Sequence, residues 1–194
     1  IPNMTVIMPA DYNAARKLVR QAAETYGPMY LRFTRDAVPQ IYDEDVEFTI
    51  GKAHQIQDGK DVAIIANGDT VCLAIEAAKV LAGKGISARV LDMHTIKPID
   101  REAILKAVME TRRIITVEDH NVIGGLGSAV AEVVVESGKG CAFKQLGIQD
   151  KFAPIGLHED IMSMLGIDSN GIVDAVREVM GKDFELDDDW DDEV

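Results

Sequence analysis

Beyond residue 60 the chain alternates short apolar runs with longer stretches in which apolar residues recur every three to four positions. Val62–Ala66 is continuously apolar, as a strand covered on both faces should be. Asp69 or Thr70 then caps a helix running to Leu81, stopped by Gly83 and Gly85. A second apolar strand is predicted over 88–93, and Pro98 and Asp100 introduce a helix over 101–110. A third strand follows at 114–117. Gly124-Gly125-Leu126-Gly127-Ser128 opens a helix ending near Ser137-Gly138. A fourth strand is predicted at 143–148, then two short helices at 158–165 and 170–180. This alternation predicts βαβ units around a parallel sheet.

The first third is less regular. Asp11 is a good N-cap for a helix over 12–26, whose Ala15, Leu18, Val19, Ala22 and Ala23 fall at helical spacing. Gly27-Pro28 ends it, and residues 29–34 alternate like a strand. Pro39 and a cluster of acids make 35–47 a link between domains. Residues 48–56 have room for one or two strands.

The 194 residues, 47% hydrophobic, suffice for one full domain plus a fragment of another. No apolar run approaches the roughly 20 residues that cross a bilayer, so no membrane association is expected. The opening Ile1-Pro2-Asn3-Met4 is no secretion signal and reads as a chain cut in mid-protein. Of the net charge of −13, eight acids lie in the last twelve residues, a solvated acidic tail in which Trp190 is the one candidate anchor. The rest is mildly acidic and offers no basic face, which excludes nucleic acid as a partner. Cys72 and Cys141 are far apart and in no metal spacing. Cys72 reads as a small core residue, and a disulfide is not expected in a cytoplasmic chain.

Few segments could carry chemistry. The glycine-rich turn at Gly124–Ser128 opens a helix, where amides can hold an anion. It is neither G-x-G-x-x-G nor a P-loop, so a tight structural turn or subunit contact is the plainer reading. Glu118-Asp119-His120 stands at a strand's C-terminal end, where open α/β sheets place sites; it could do acid–base work or anchor a loop. His94 stands at the end of another strand and allows the same two readings. His54 and His158 show no partner pattern and are expected at the surface. There is no nucleophile signature and no cluster with metal-ligand spacing.

Four stretches together resemble the transketolase family. Pro2-Asn3-Met4-Thr5-Val6-Ile7-Met8-Pro9-Ala10-Asp11 is similar to the segment entering the last helix of that family's pyrimidine-binding domain. Arg32-Phe33-Thr34-Arg35-Asp36-Ala37-Val38-Pro39-Gln40 is similar to that domain's final strand and exit. Asp92-Met93-His94-Thr95-Ile96-Lys97-Pro98-Ile99-Asp100 and Glu118-Asp119-His120-Asn121-Val122-Ile123-Gly124-Gly125-Leu126-Gly127-Ser128 resemble the C-terminal domain of the two-subunit transketolases. They follow in the expected order and span nearly the whole chain. Where the family often has an acidic-serine-glycine turn before its last helices, this chain has Phe152-Ala153-Pro154-Ile155-Gly156.

The resemblance implies a three-layer α/β/α sandwich with a mixed, mostly parallel sheet, one strand near 48–56 being antiparallel. It divides the chain into a pyrimidine-domain fragment (1–40), a linker (41–47), the C-terminal domain (48–182) and the acidic tail (183–194). It implies transfer of a two-carbon ketol unit from a ketose phosphate to an aldose phosphate. The complete enzyme would use thiamine diphosphate and magnesium, held by an N-terminal part or subunit, in a site between two copies of a dimer; none is expected on this segment alone. This segment would serve dimerisation and close the substrate channel. Arg35 matches the family arginine that grips the substrate phosphate, a task suited to a guanidinium fork. No residue here is expected to be catalytic or to ligate metal. His120, Gly124, Gly125, Gly127 and Ser128 form the possible anion or subunit-contact loop. Two rival readings remain. One is a related thiamine enzyme, either a deoxyxylulose-phosphate synthase or a 2-oxo acid dehydrogenase beta subunit. Those relatives usually place an arginine near His94, so His94-Thr95-Ile96-Lys97-Pro98 favours transketolase. The other is a non-catalytic anion-binding regulatory domain.

Overall fold

The computed structural model describes residues 1–182; the acidic tail and Trp190 lie outside them. In chain order the elements are Thr5–Ile7 (β1), Tyr12–Glu24 (α1), Met29–Leu31 (β2), His54–Gln57 (β3), Val62–Ala66 (β4) and Thr70–Ala82 (α2). Then come Ala88–Asp92 (β5), Thr95–Lys97 (β6), Arg101–Thr111 (α3), Arg113–Asn121 (β7), Leu126–Glu136 (α4), Ala142–Ile148 (β8), His158–Met164 (α5) and Ser169–Met180 (α6).

The main sheet has the order β3-β5-β4-β7-β8, with β3 antiparallel to β5 and all other pairs parallel. β4 is buried along its whole length because both its faces are covered. Val62, Ile64 and Ala66 point into one core with α2 and α6, while Ala63 and Ile65 point into another with α3 and α4. The α/β/α sandwich and its mixed, mostly parallel sheet are as expected, including the antiparallel strand after residue 48.

The remaining strands form a second sheet, β2-β1-β6, with β2 parallel and β6 antiparallel to β1. Neither β1 nor β6 is predicted by the sequence pattern, because three residues are too few to show a period. Their pairing joins the first forty residues to the rest of the chain through main-chain hydrogen bonds. Residues 41–47 contain no helix or strand, yet they are anchored. Asp11 Oδ2 accepts from the amides of Ile41 and Tyr42, and the Asn13 amide donates to the Tyr42 carbonyl. Asp11 also caps α1 as expected, its Oδ1 accepting from Ala14 N. No helix among the described residues is long and apolar enough to cross a membrane.

Candidate functional site

The C-terminal ends of β4, β5 and β7 lie on one edge of the sheet, and the polar residues gather there. β7 runs four residues beyond its predicted end, so Glu118, Asp119 and His120 are strand residues. Glu118 is buried, and its carboxylate accepts from Leu126 N at 2.6 Å and from Gly127 N at 2.8 Å. The first amides of α4 are therefore filled by an anion from within the chain. Burial raises the Glu118 carboxyl above the usual range, and the two amide bonds act the other way. Gly125 is required here, since an added Cβ would overlap the Glu118 carboxylate. Gly124, with φ +78°, makes the left-handed turn that brings the chain round.

His120, Gly124, Gly125 and Ser128 line one cleft of about 730 Å³ between the two sheets. Gly127 is buried beneath the loop, with its amide on Glu118. The exposed His120 ring has Nδ1 2.9 Å from the Asn121 carbonyl oxygen. Ser128 Oγ accepts from Gly124 N and donates to the Val122 carbonyl, closing the turn.

Arg35 lies apart from that group. It lines a neighbouring cavity of about 640 Å³, and Arg32 lines both. Arg32 donates to the Asp119 carbonyl at 2.7 Å and pairs with Asp119 Oδ2 at 3.3 Å. Sequence reasoning did not single out Arg32; its place just past the end of a strand, three before Arg35, is the only signal it carries. The lining of the Arg35 cavity holds six carboxylates against two guanidiniums. Its described wall is thus adverse to an anion unless another positive charge is present.

Three of the groups in that cavity converge. Asp69 follows β4 at the N-cap position of α2, yet makes no capping bond. Thr70 Oγ1 instead closes that turn on the Asn67 and Val117 carbonyls. His158, expected as a surface residue, places Nε2 3.2 Å from Asp69 Oδ2. Burial and the nearby Asp119 push the Asp69 carboxyl up, while His158 and Arg32 act in the opposite sense.

His158 is exposed as expected, whereas His54 is not, and the surroundings of His94 favour the anchor reading. His94 is buried, with Nδ1 3.0 Å from Thr95 Oγ1 and its ring edge-on to Phe48. Burial lowers it to about 4, so it is neutral and is a poor acid–base group at pH 7. His54, also expected at the surface, is partly buried against Tyr42 and Phe48, which lowers it too. Tyr42 Oη donates to Asp92 Oδ2 at 2.7 Å. Complete burial raises Asp92 to about 7.

A thiamine diphosphate–magnesium group would need free amides or cations for its diphosphate. The α4 amides are on Glu118, Lys97 donates to the Ile1 carbonyl, and Arg101 pairs with Glu136. The other cavity sets six carboxylates against two guanidiniums. The described residues therefore do not fit that group. They present the exposed Arg35 beside that acidic wall, the converging Asp69, Asp119 and His158, and a tightly shaped loop at the start of α4.

Residues 51–172 match the family "Transketolase, C-terminal domain". One of the subunits of an apulose-4-phosphate transketolase from Phocaeicola vulgatus is 43% identical over 182 residues, covering 93% of this chain and 58% of that protein. A 1-deoxy-D-xylulose-5-phosphate synthase from Geobacter sulfurreducens is also 43% identical, over 180 residues, covering 91% of this chain and 28% of that protein. A solved structure described as "Split gene transketolase, inactive beta4 tetramer" has a TM-score of 0.89 at 40% identity, covering 93% of this chain and 59% of its own. The chain thus spans less than two thirds of each of these relatives. With the fold, the order of the segments and these identities in agreement, the chain belongs to the transketolase C-terminal domain family.

Proposed function

We propose that this chain is the C-terminal part of a transketolase that transfers a two-carbon ketol unit between sugar phosphates. Thiamine diphosphate and magnesium are held by an N-terminal part or subunit, a reading supported by the poor fit of the described residues to that group. The chain's own roles are dimerisation, closure of the substrate channel and a phosphate contact through Arg35. The observation that carries this reading is the likeness, at about 40% identity over nine tenths of the chain, to proteins named as a transketolase subunit and as a split gene transketolase. The turn at Gly124–Ser128 is assigned to subunit contact rather than to an external anion, because Glu118 already occupies its amides. A cytoplasmic setting agrees with the free thiols of Cys72 and Cys141.

The test is a coupled assay of the complete enzyme with xylulose 5-phosphate and ribose 5-phosphate. Sedoheptulose phosphate is the expected product, and its absence refutes the reading. A second reading, deoxyxylulose-phosphate synthase, draws on the Geobacter sulfurreducens relative. With pyruvate and glyceraldehyde 3-phosphate supplied instead, formation of deoxyxylulose phosphate and CO2, with no sedoheptulose phosphate in the first assay, would establish it.

A further inference from the structure

We propose that Asp69, Asp119 and His158 form a binding site for a single divalent cation of the zinc type at the wall of the Arg35 cavity. One ligand atom from each of the three lies within 4.8 Å of the others. For zinc bonded at about 2.1 Å in a tetrahedron, ligand atoms stand about 3.4 Å apart. His158 Nε2 and Asp69 Oδ2 are already at 3.2 Å. Small side-chain rotations of Asp119 complete the set.

Closeness alone would mean little, since carboxylates cluster on many surfaces. The independent observation is Asp69. Its side chain is only 7% exposed, and neither oxygen has a hydrogen-bond partner among the described residues. The His158 contact is near enough for an ion pair but lacks hydrogen-bond alignment. A buried carboxylate without partners is costly by several kcal/mol unless it meets a cation or a proton. The carboxylate sits where it could cap α2 and does not; it is turned into the cavity instead. Folding therefore leaves this carboxylate aimed at the one place where two further donors stand.

The donor types select the cation. One imidazole nitrogen with two carboxylates suits zinc or manganese better than magnesium or calcium, which prefer oxygen alone. The six carboxylates of the cavity wall against two guanidiniums favour any cation over any free anion. Arg32 does not block the site. Its shorter bond, 2.7 Å, goes to the Asp119 carbonyl, so the carboxylate can turn while Arg32 stays bound. Three protein ligands leave at least one position for water or for an oxygen of a ligand in the cavity. A cation there also offsets the acidic wall beside Arg35.

The experiment is calorimetric titration of the metal-stripped full chain with zinc chloride at pH 7, alongside manganese and magnesium chlorides. One equivalent of zinc should bind with micromolar affinity, and magnesium at least a hundredfold more weakly. His158→Ala and Asp69→Asn should each weaken zinc binding at least tenfold. His158 is partly exposed, so its loss leaves the fold intact, and circular dichroism checks Asp69→Asn. Cys141→Ser, which removes an outlying thiol, should leave zinc affinity unchanged. Binding weaker than millimolar, equal affinity for zinc and magnesium, or affinity unchanged by both His158→Ala and Asp69→Asn would overturn the site. The readout is binding alone, so it is independent of whether the complete enzyme transfers ketol units.

Discussion

Asp92 ought to make the stability of this protein depend on pH in a direction opposite to that of most carboxylates. It is fully buried at the end of β5, and Tyr42 Oη is its one hydrogen-bond donor among the described residues. Burial raises its folded-state value from the ordinary 3.8 to about 7. Between those values the folded protein holds a proton that the unfolded chain has released. The contribution is complete below about pH 4 and is lost as pH rises through 7. At 1.36 kcal/mol per pKa unit the ceiling is about 4 kcal/mol, and relaxation around the charge makes half of that a fair expectation. The perturbation is Asp92→Asn, which keeps the shape and removes the titration. Urea unfolding of both proteins from pH 4 to 8 gives the stability difference at each pH. Asn should gain on the native residue by about 2–4 kcal/mol between pH 4 and 8. A difference flat across that range would refute the argument. Tyr42→Phe sharpens the test: the Tyr42 bond lowers Asp92, so its loss should move the transition to higher pH. His94 runs the other way, since its folded value is lowered from 6.5 to about 4. Its contribution is present above 6.5 and lost as pH falls through 4. The two slopes oppose each other in the unsubstituted protein, so only the difference curves isolate either one.

In the complete enzyme, Arg35→Ala should raise the Michaelis constant for phosphorylated donors at least tenfold and affect unphosphorylated donors less; steady-state kinetics with both would show it, and equal effects would refute the phosphate contact. Glu118→Ala removes two charge-assisted amide bonds and should cost about 2–4 kcal/mol, read from denaturant unfolding. Gly125→Ala forces a methyl against the same carboxylate and should cost about 1–3 kcal/mol by the same assay. This chain alone should bind thiamine diphosphate no better than background by calorimetry; micromolar binding would show that its residues do form a cofactor site.

Which parts of this fold could be read from the sequence depended on how each residue's environment arises. β4 is legible because all five residues are apolar, and only a strand covered on both faces needs that. Its neighbours β5 and β7 follow from the same pattern. β1 and β6 were not legible, because each has only three residues and the pairing between them spans about ninety positions. The extension of β7 was missed for a different reason. Glu118, Asp119 and His120 look like a loop by polarity, yet each polar side chain has a fixed destination: the α4 amides, Arg32 and the cleft. The same holds for His158, whose partner Asp69 lies far upstream and shares no local pattern with it. Asp69 is the most instructive case. The N-cap rule identifies its position correctly and its side chain wrongly, because Thr70 Oγ1 closes the turn instead. A carboxylate released from its local duty and still buried must be answered by something distant in sequence. Local rules locate such a residue, and only the failure of the expected bond marks it as functional. Family resemblance, for its part, pointed to Arg35, held Asp119 only as one position of a matched segment, and was silent on Asp69 and His158. Resemblance reports what a chain shares with its relatives. A site built from three separate elements of this chain has to be read from its own geometry.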